Sequence, residues 1–128
     1  MKKRIEEISA AFGGKLIGTK WMKQHVCETL SYMPEYITSY ITKNCWFFSS
    51  LDDAWAFTFT GNDLKDKHLI FLSDDLLHQH EGQIRYSIAH EIGHVMLKHR
   101  NSVLERQTKR EIKKQEKEAD AFARQFMR

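Results

Sequence analysis

Cysteine is scarce in this sequence, and its placement excludes two kinds of architecture. Cys27 and Cys45 are the only two. That is too few for a disulfide framework, and the pair lacks the CxxC spacing of a structural zinc site. They read as reduced, packed thiols of a cytosolic protein. Long apolar runs are also missing. No segment approaches the roughly 20 residues of a membrane span, so no membrane association is expected. The stretch Met1-Lys2-Lys3-Arg4-Ile5-Glu6-Glu7-Ile8 has basic residues but no apolar core of a signal peptide. Neither a Gly-x-Ser-x-Gly elbow nor a phosphate-binding glycine loop occurs, which sets aside those two chemistries. No repeat, low-complexity tract or linker divides the 128 residues. The length suits a single domain, 1–128, around one modest core.

The positive signal is concentrated in Ser87-Ile88-Ala89-His90-Glu91-Ile92-Gly93-His94-Val95-Met96-Leu97. His90 and His94 are four residues apart, so on a helix both imidazoles stand on one face and can reach one metal ion. Glu91 lies about 100° round the wheel, close enough to a water held at the metal to take its proton without being a ligand. Zinc-dependent hydrolysis needs this arrangement. Ile84, Ile88, Ile92 and Val95 form an apolar stripe on the side away from the histidines. One face can therefore pack on a core while the other faces a cleft. Gly93 costs about 1 kcal/mol relative to Ala inside a helix, which implies that something approaches the backbone there.

The remaining chain reads as helices around a small sheet. Ile5, Ile8 and Phe12 share a helical face that Gly13-Gly14 ends. Trp21 to Leu30 is a second helix candidate, and Pro34 opens a third to about Thr42, with Tyr36, Ile37, Tyr40 and Ile41 on its apolar side. Cys45 to Phe48, Ala54 to Thr60 and His68 to Leu72 are strand candidates, and Gly61-Asn62-Asp63 is turn chemistry. These suggest an antiparallel sheet of about three strands, with Leu69 to Leu72 bordering the cleft and able to take extended substrate by β-addition. Ser73, Asp74 or Asp75 can cap a short turn through Leu77, and Gly82 separates that turn from the motif helix. After the linker Asn101-Ser102, a last helix runs from about Thr108 to Met127.

Catalytic zinc usually takes three protein ligands. A third histidine six residues after His94 is absent, because position 100 is Arg and position 97, where a glycine would stand, is Leu. His99 falls one residue short and is left as an oxyanion-stabilising candidate. The last helix offers Glu116 and Glu118. Its apolar stripe is Ile112, Ala119, Phe122, Ala123 and Phe126; Glu116 borders it, whereas Glu118 points to the opposite side. Glu116 is therefore assigned as the third ligand. Asp120, one turn on, becomes the residue that orients a ligand histidine through its free ring nitrogen.

His90-Glu91-Ile92-Gly93-His94 after Ser87-Ile88-Ala89, followed by Glu116-x-Glu118-Ala119-Asp120-x-Phe122-Ala123, resembles the ImmA/IrrE family of zinc metallopeptidases. The pattern is similar more broadly to zincins whose third ligand lies in Glu-x-x-x-Asp. The strand Ile70-x-Leu72 and Arg85 also suit the family, and the likeness covers about residues 69 to 126. It implies a cytoplasmic peptidase that cleaves a helix-turn-helix transcriptional repressor and releases a mobile element, such as a phage, or a stress response. His90, His94 and Glu116 carry over as metal residues and Glu91 as the base. Family members continue through a Leu-Met-Pro segment into further helices, whereas this sequence reads Arg124-Gln125-Phe126-Met127-Arg128 there. The expectation is that a C-terminal recognition part is missing or comes from a partner.

Lys98 to Lys117 holds eight Lys or Arg against three Glu. Without an accompanying nucleic-acid motif it reads as a solvated surface, and direct nucleic-acid binding is not expected. Asp52-Asp53 and Asp74-Asp75 read as turn and cap residues, and His25, His68, His78 and His80 are unassigned. The expected whole is an α+β zincin-like metallopeptidase: N-terminal helices, the small antiparallel sheet, the HExxH helix and a C-terminal ligand-bearing helix, with Zn2+ as cofactor and a regulatory protein as substrate. The rival is a non-cleaving, metal-containing binding module that sequesters a regulator. Glu91 argues against it, since a pure binding module needs no base beside the metal.

Overall fold

The computed structural model describes residues 2–50, 56–59, 67–98 and 108–127. In chain order the elements are helix α1 (Lys2–Phe12), strand β1 (Leu16–Ile17), helices α2 (Lys20–Ser31) and α3 (Glu35–Asn44), strands β2 (Cys45–Ser50), β3 (Ala56–Phe59) and β4 (His68–Ser73), and helices α4 (Asp74–Leu77), α5 (Glu81–Met96) and α6 (Lys109–Phe126). Ala54, Trp55, Thr60, Asp52-Asp53, the turn Gly61-Asn62-Asp63, His99 and the linker Asn101-Ser102 lie outside the described residues.

Local chemistry sets the helix ends. α1 buries Ile8 and Phe12, and Gly13 leaves it at φ 63°, a left-handed turn that costs glycine little. Thr19, Ser73 and Thr108 cap α2, α4 and α6 by accepting the N–H of Met22, Leu76 and Glu111. Pro34 precedes α3, where its missing N–H costs nothing. The cap of α5 is His80, whose Nδ1 accepts the Gln83 N–H at 3.2 Å. Gly82 consequently lies within the first turn of α5 and does not separate it from α4 as the sequence suggests.

The expected antiparallel sheet is corrected. The strands run in the order β1-β2-β4-β3. β1, β2 and β4 are mutually parallel, and only β3 runs antiparallel, against β4. Hydrophobic alternation specifies which face a residue takes, not which strand lies beside it. The chain between β1 and β2 carries α2 and α3, the long crossover that a parallel pair requires. β4 is interior to the sheet, hydrogen-bonded on both sides, which overturns the expectation that Leu69 to Leu72 is an edge open to substrate.

Leu16, Phe47 and Ile70 form one cross-strand row and are buried. Phe47 also meets Phe12 edge-on at 5.7 Å. The core continues through Met22, Val26 and Leu30 of α2, Ile37 and Ile41 of α3, and Ile84, Ile88, Ile92 and Val95 of α5. On the opposite sheet face, Phe48 stacks between Trp46 and Phe71 at centroid distances of 6.4 and 5.0 Å. Gly18 holds φ 151°, and a Cβ there would overlap Ser49 Oγ of β2, so glycine is needed where β1 turns into α2. The whole is helix-rich with a small mixed sheet. Among the described residues, no helix is long and apolar enough to cross a membrane.

Candidate metal centre

α5 buries the stripe that the sequence marks: Ile84, Ile88 and Ile92 are fully inaccessible and Val95 nearly so. Burying this side turns His90 and His94 away from the core and towards α6. There the helix backbones come close. A Cβ on Gly93 would meet Phe122 at 3.1 Å, and Ala119 and Ala123 are fully buried on the facing side of α6. The glycine in the motif and the two alanines are what let the helices approach until their polar side chains meet.

His90, His94 and Glu116 each turn a donor atom to one point. His90 Nε2 lies 2.9 Å from Glu116 Oε2, His94 Nε2 lies 3.0 Å from Glu116 Oε1, and the two Nε2 atoms are 3.2 Å apart. His90 Nδ1 donates to Asp120 Oδ1 at 2.8 Å. In a neutral ring this leaves Nε2 of His90 as a lone pair, and it converges with His94 Nε2 and the Glu116 carboxylate on the same small volume. Such a set repels itself unless a cation or a shared proton lies within it. Zinc bonds of about 2.0–2.2 Å in tetrahedral array put neighbouring ligands roughly 3.3 Å apart, close to the spacing here. The donor set fits a metal ion of that size. Glu118 is exposed and is not part of the cluster.

A cleft of about 280 Å³ opens beside these atoms, with Ser87, His90, Glu91, Glu116 and Asp120 in its wall. Glu91 lines the same cleft although it is only 7% exposed. Tyr86 also lines it and was not singled out from the sequence. Its hydroxyl donates to Asp120 Oδ1 at 3.2 Å. Burial first, and the Asp120 carboxylate second, raise the Tyr86 phenol above its usual range, which keeps it a donor at neutral pH. Its four-residue step before His90 puts it on the same helical face, but the sequence does not place it against Asp120.

Of the proposed site residues, His90, Glu91, His94, Glu116 and Asp120 come together, while His99 lies outside the described residues. His80 is a helix cap, and His68 Nε2 pairs with the Tyr40 hydroxyl at 3.1 Å. Lys109, Arg110, Lys113, Lys114 and Lys117 are exposed on α6, as a solvated face would be.

No curated protein matches this chain, and no solved structure does. A family model described as Peptidase U49 matches residues 82–128, less than half of the chain but the part that contains α5 from its second residue, α6 and every residue of the cluster. That match indicates a peptidase family.

Proposed function

We propose that this chain is a zinc-dependent peptidase whose substrate is a regulatory protein, in the manner of the ImmA/IrrE enzymes it resembles. The observation that carries the reading is the convergence of His90 Nε2, His94 Nε2 and the Glu116 carboxylate beside Glu91, within the segment that matches a peptidase family. The two imidazoles and one carboxylate suit zinc and leave a fourth position open. Bound there, zinc would supply a Lewis acid that polarises the scissile carbonyl and makes water a nucleophile near neutral pH.

The protein residues do the rest. Glu91 takes the proton of the attacking water and delivers it to the leaving amine. Its burial removes competing bulk water and keeps the proton local. His90 and His94 would hold the metal through Nε2, and Asp120 orients His90 by accepting its Nδ1–H. The substrate reading, a cytoplasmic helix-turn-helix repressor of a mobile element or stress response, rests on the resemblance alone.

Glu91→Gln tests the proposal, because it keeps shape and removes the base. The variant is expected to retain its metal and fold and to lose about 10²-fold or more in cleavage. The assay co-expresses a candidate helix-turn-helix repressor and scores its intact mass together with release of repression. Full derepression by the Gln variant with the repressor uncut would replace the peptidase with the sequestering module.

A further inference from the structure

The polar contacts between α5 and α6 do not stop at the three metal donors. On α5, Tyr86, His90 and His94 follow one another at four-residue steps; on α6, Glu116 and Asp120 are one such step apart. The helices meet so that these residues interlock as a ladder. His94 bonds Glu116, His90 bonds Glu116 and Asp120, and Tyr86 bonds Asp120. A four-residue step keeps side chains on one helical face, so the ladder follows from the spacing once the two helices face each other.

Asp120 Oδ1 is the shared point. It accepts His90 Nδ1–H at 2.8 Å and the Tyr86 hydroxyl at 3.2 Å. The Asp120 side chain is 42% exposed, so His90 alone would hold it in one rotamer against competing water. A second donor from a half-buried phenol narrows its freedom. We propose that Tyr86 is a positioning residue for the metal centre: its hydroxyl locks the Asp120 carboxylate, which in turn holds His90 in the tautomer and orientation that present Nε2 to the metal. This rests on the zinc reading above and extends it by one residue that lies beyond direct reach of the ion.

The test is zinc affinity, measured by competition with a chromophoric chelator on the purified full chain for the parent, Tyr86→Phe, Asp120→Asn and the double variant. Tyr86→Phe removes one oxygen and keeps the ring. Its affinity is expected to fall about 10-fold, with Asp120→Asn losing up to about 100-fold, the range typical of groups that orient metal ligands. The double variant should bind no worse than Asp120→Asn, because Tyr86 acts only through that carboxylate. The thermal midpoint of the metal-free protein should be the same for Tyr86→Phe and parent, which a merely structural role would not give. A parent that binds no zinc sinks the metal reading and this inference with it. Parental affinity in Tyr86→Phe, or an equal further loss in the Asp120→Asn background, overturns the inference alone.

Discussion

Two glutamates two positions apart on α6 have different surroundings. Glu116 reaches both ligand histidines at 2.9 and 3.0 Å, whereas Glu118 is exposed and outside the cluster. Two residues on a helix differ by about 200° of rotation, so one backbone cannot turn both towards α5. His90→Ala and Glu116→Ala are therefore expected to lose most of the bound zinc, and Glu118→Ala to keep it, when metal per chain is measured after purification without chelator. Retention by Glu116→Ala with loss by Glu118→Ala would reverse the assignment. This distinction was legible in the sequence because it depends only on phase within one helix. Tyr86 was not legible as a site residue, because its role depends on the register between two helices, and that register is set by the Gly93–Phe122 approach. His80 escaped for a different reason: a histidine is not among the usual capping residues.

The packing of α2 against α5 contains a polar group without a hydrogen bond among the described residues. His25 is 1% exposed, and neither ring nitrogen makes a hydrogen bond there. Trp21 covers it edge-on at 4.4 Å, and Glu28 Oε2 stands 3.9 Å from Nδ1. Burial lowers the His25 pKa, with Glu28 and Glu81 opposing and Arg85 of α5 reinforcing that shift. The folded state thus binds a proton less readily than the unfolded chain. Stability from this residue is complete above the unfolded value of about 6.5 and falls as pH drops below it. His25→Leu should flatten the parent's loss between pH 7.5 and 5.5 in urea unfolding, and the difference between the two proteins subtracts the site histidines. Equal slopes in both would place the acid sensitivity elsewhere. Helices such as α1 and α5 were readable from apolar spacing. The sheet was readable strand by strand but not in its order, since the neighbours of β4 come from distant segments, and β1, at two residues, is too short to carry any periodicity.

At the scale of the molecule, α6 is joined to the body by a thin apolar contact. Among the described residues, it buries only Ala119 and Ala123 completely, with Phe122 and Phe126 partly packed, and Ile112 of the expected stripe is 46% exposed. The first turns of α6 therefore lie outside the packed interface. Small side chains allow the close approach but remove little apolar area from water, at about 25 cal/mol per Å². An ion held between His90, His94 and Glu116 would then contribute much of what docks α6. An ion that binds only the docked state stabilises it by about 2.7 kcal/mol at a hundred times its dissociation constant. Chelation should accordingly act unevenly. In hydrogen exchange of the full chain, amides of Lys109–Phe126 are expected to lose protection when zinc is removed, while those of β2, β4 and the Ile84–Ile92 stretch of α5 keep theirs. His90→Ala should show the unprotected α6 pattern with or without zinc. Loss of protection spread evenly over the chain would mean that α6 and the core unfold as one unit, and that the metal stabilises the molecule as a whole and not this one joint.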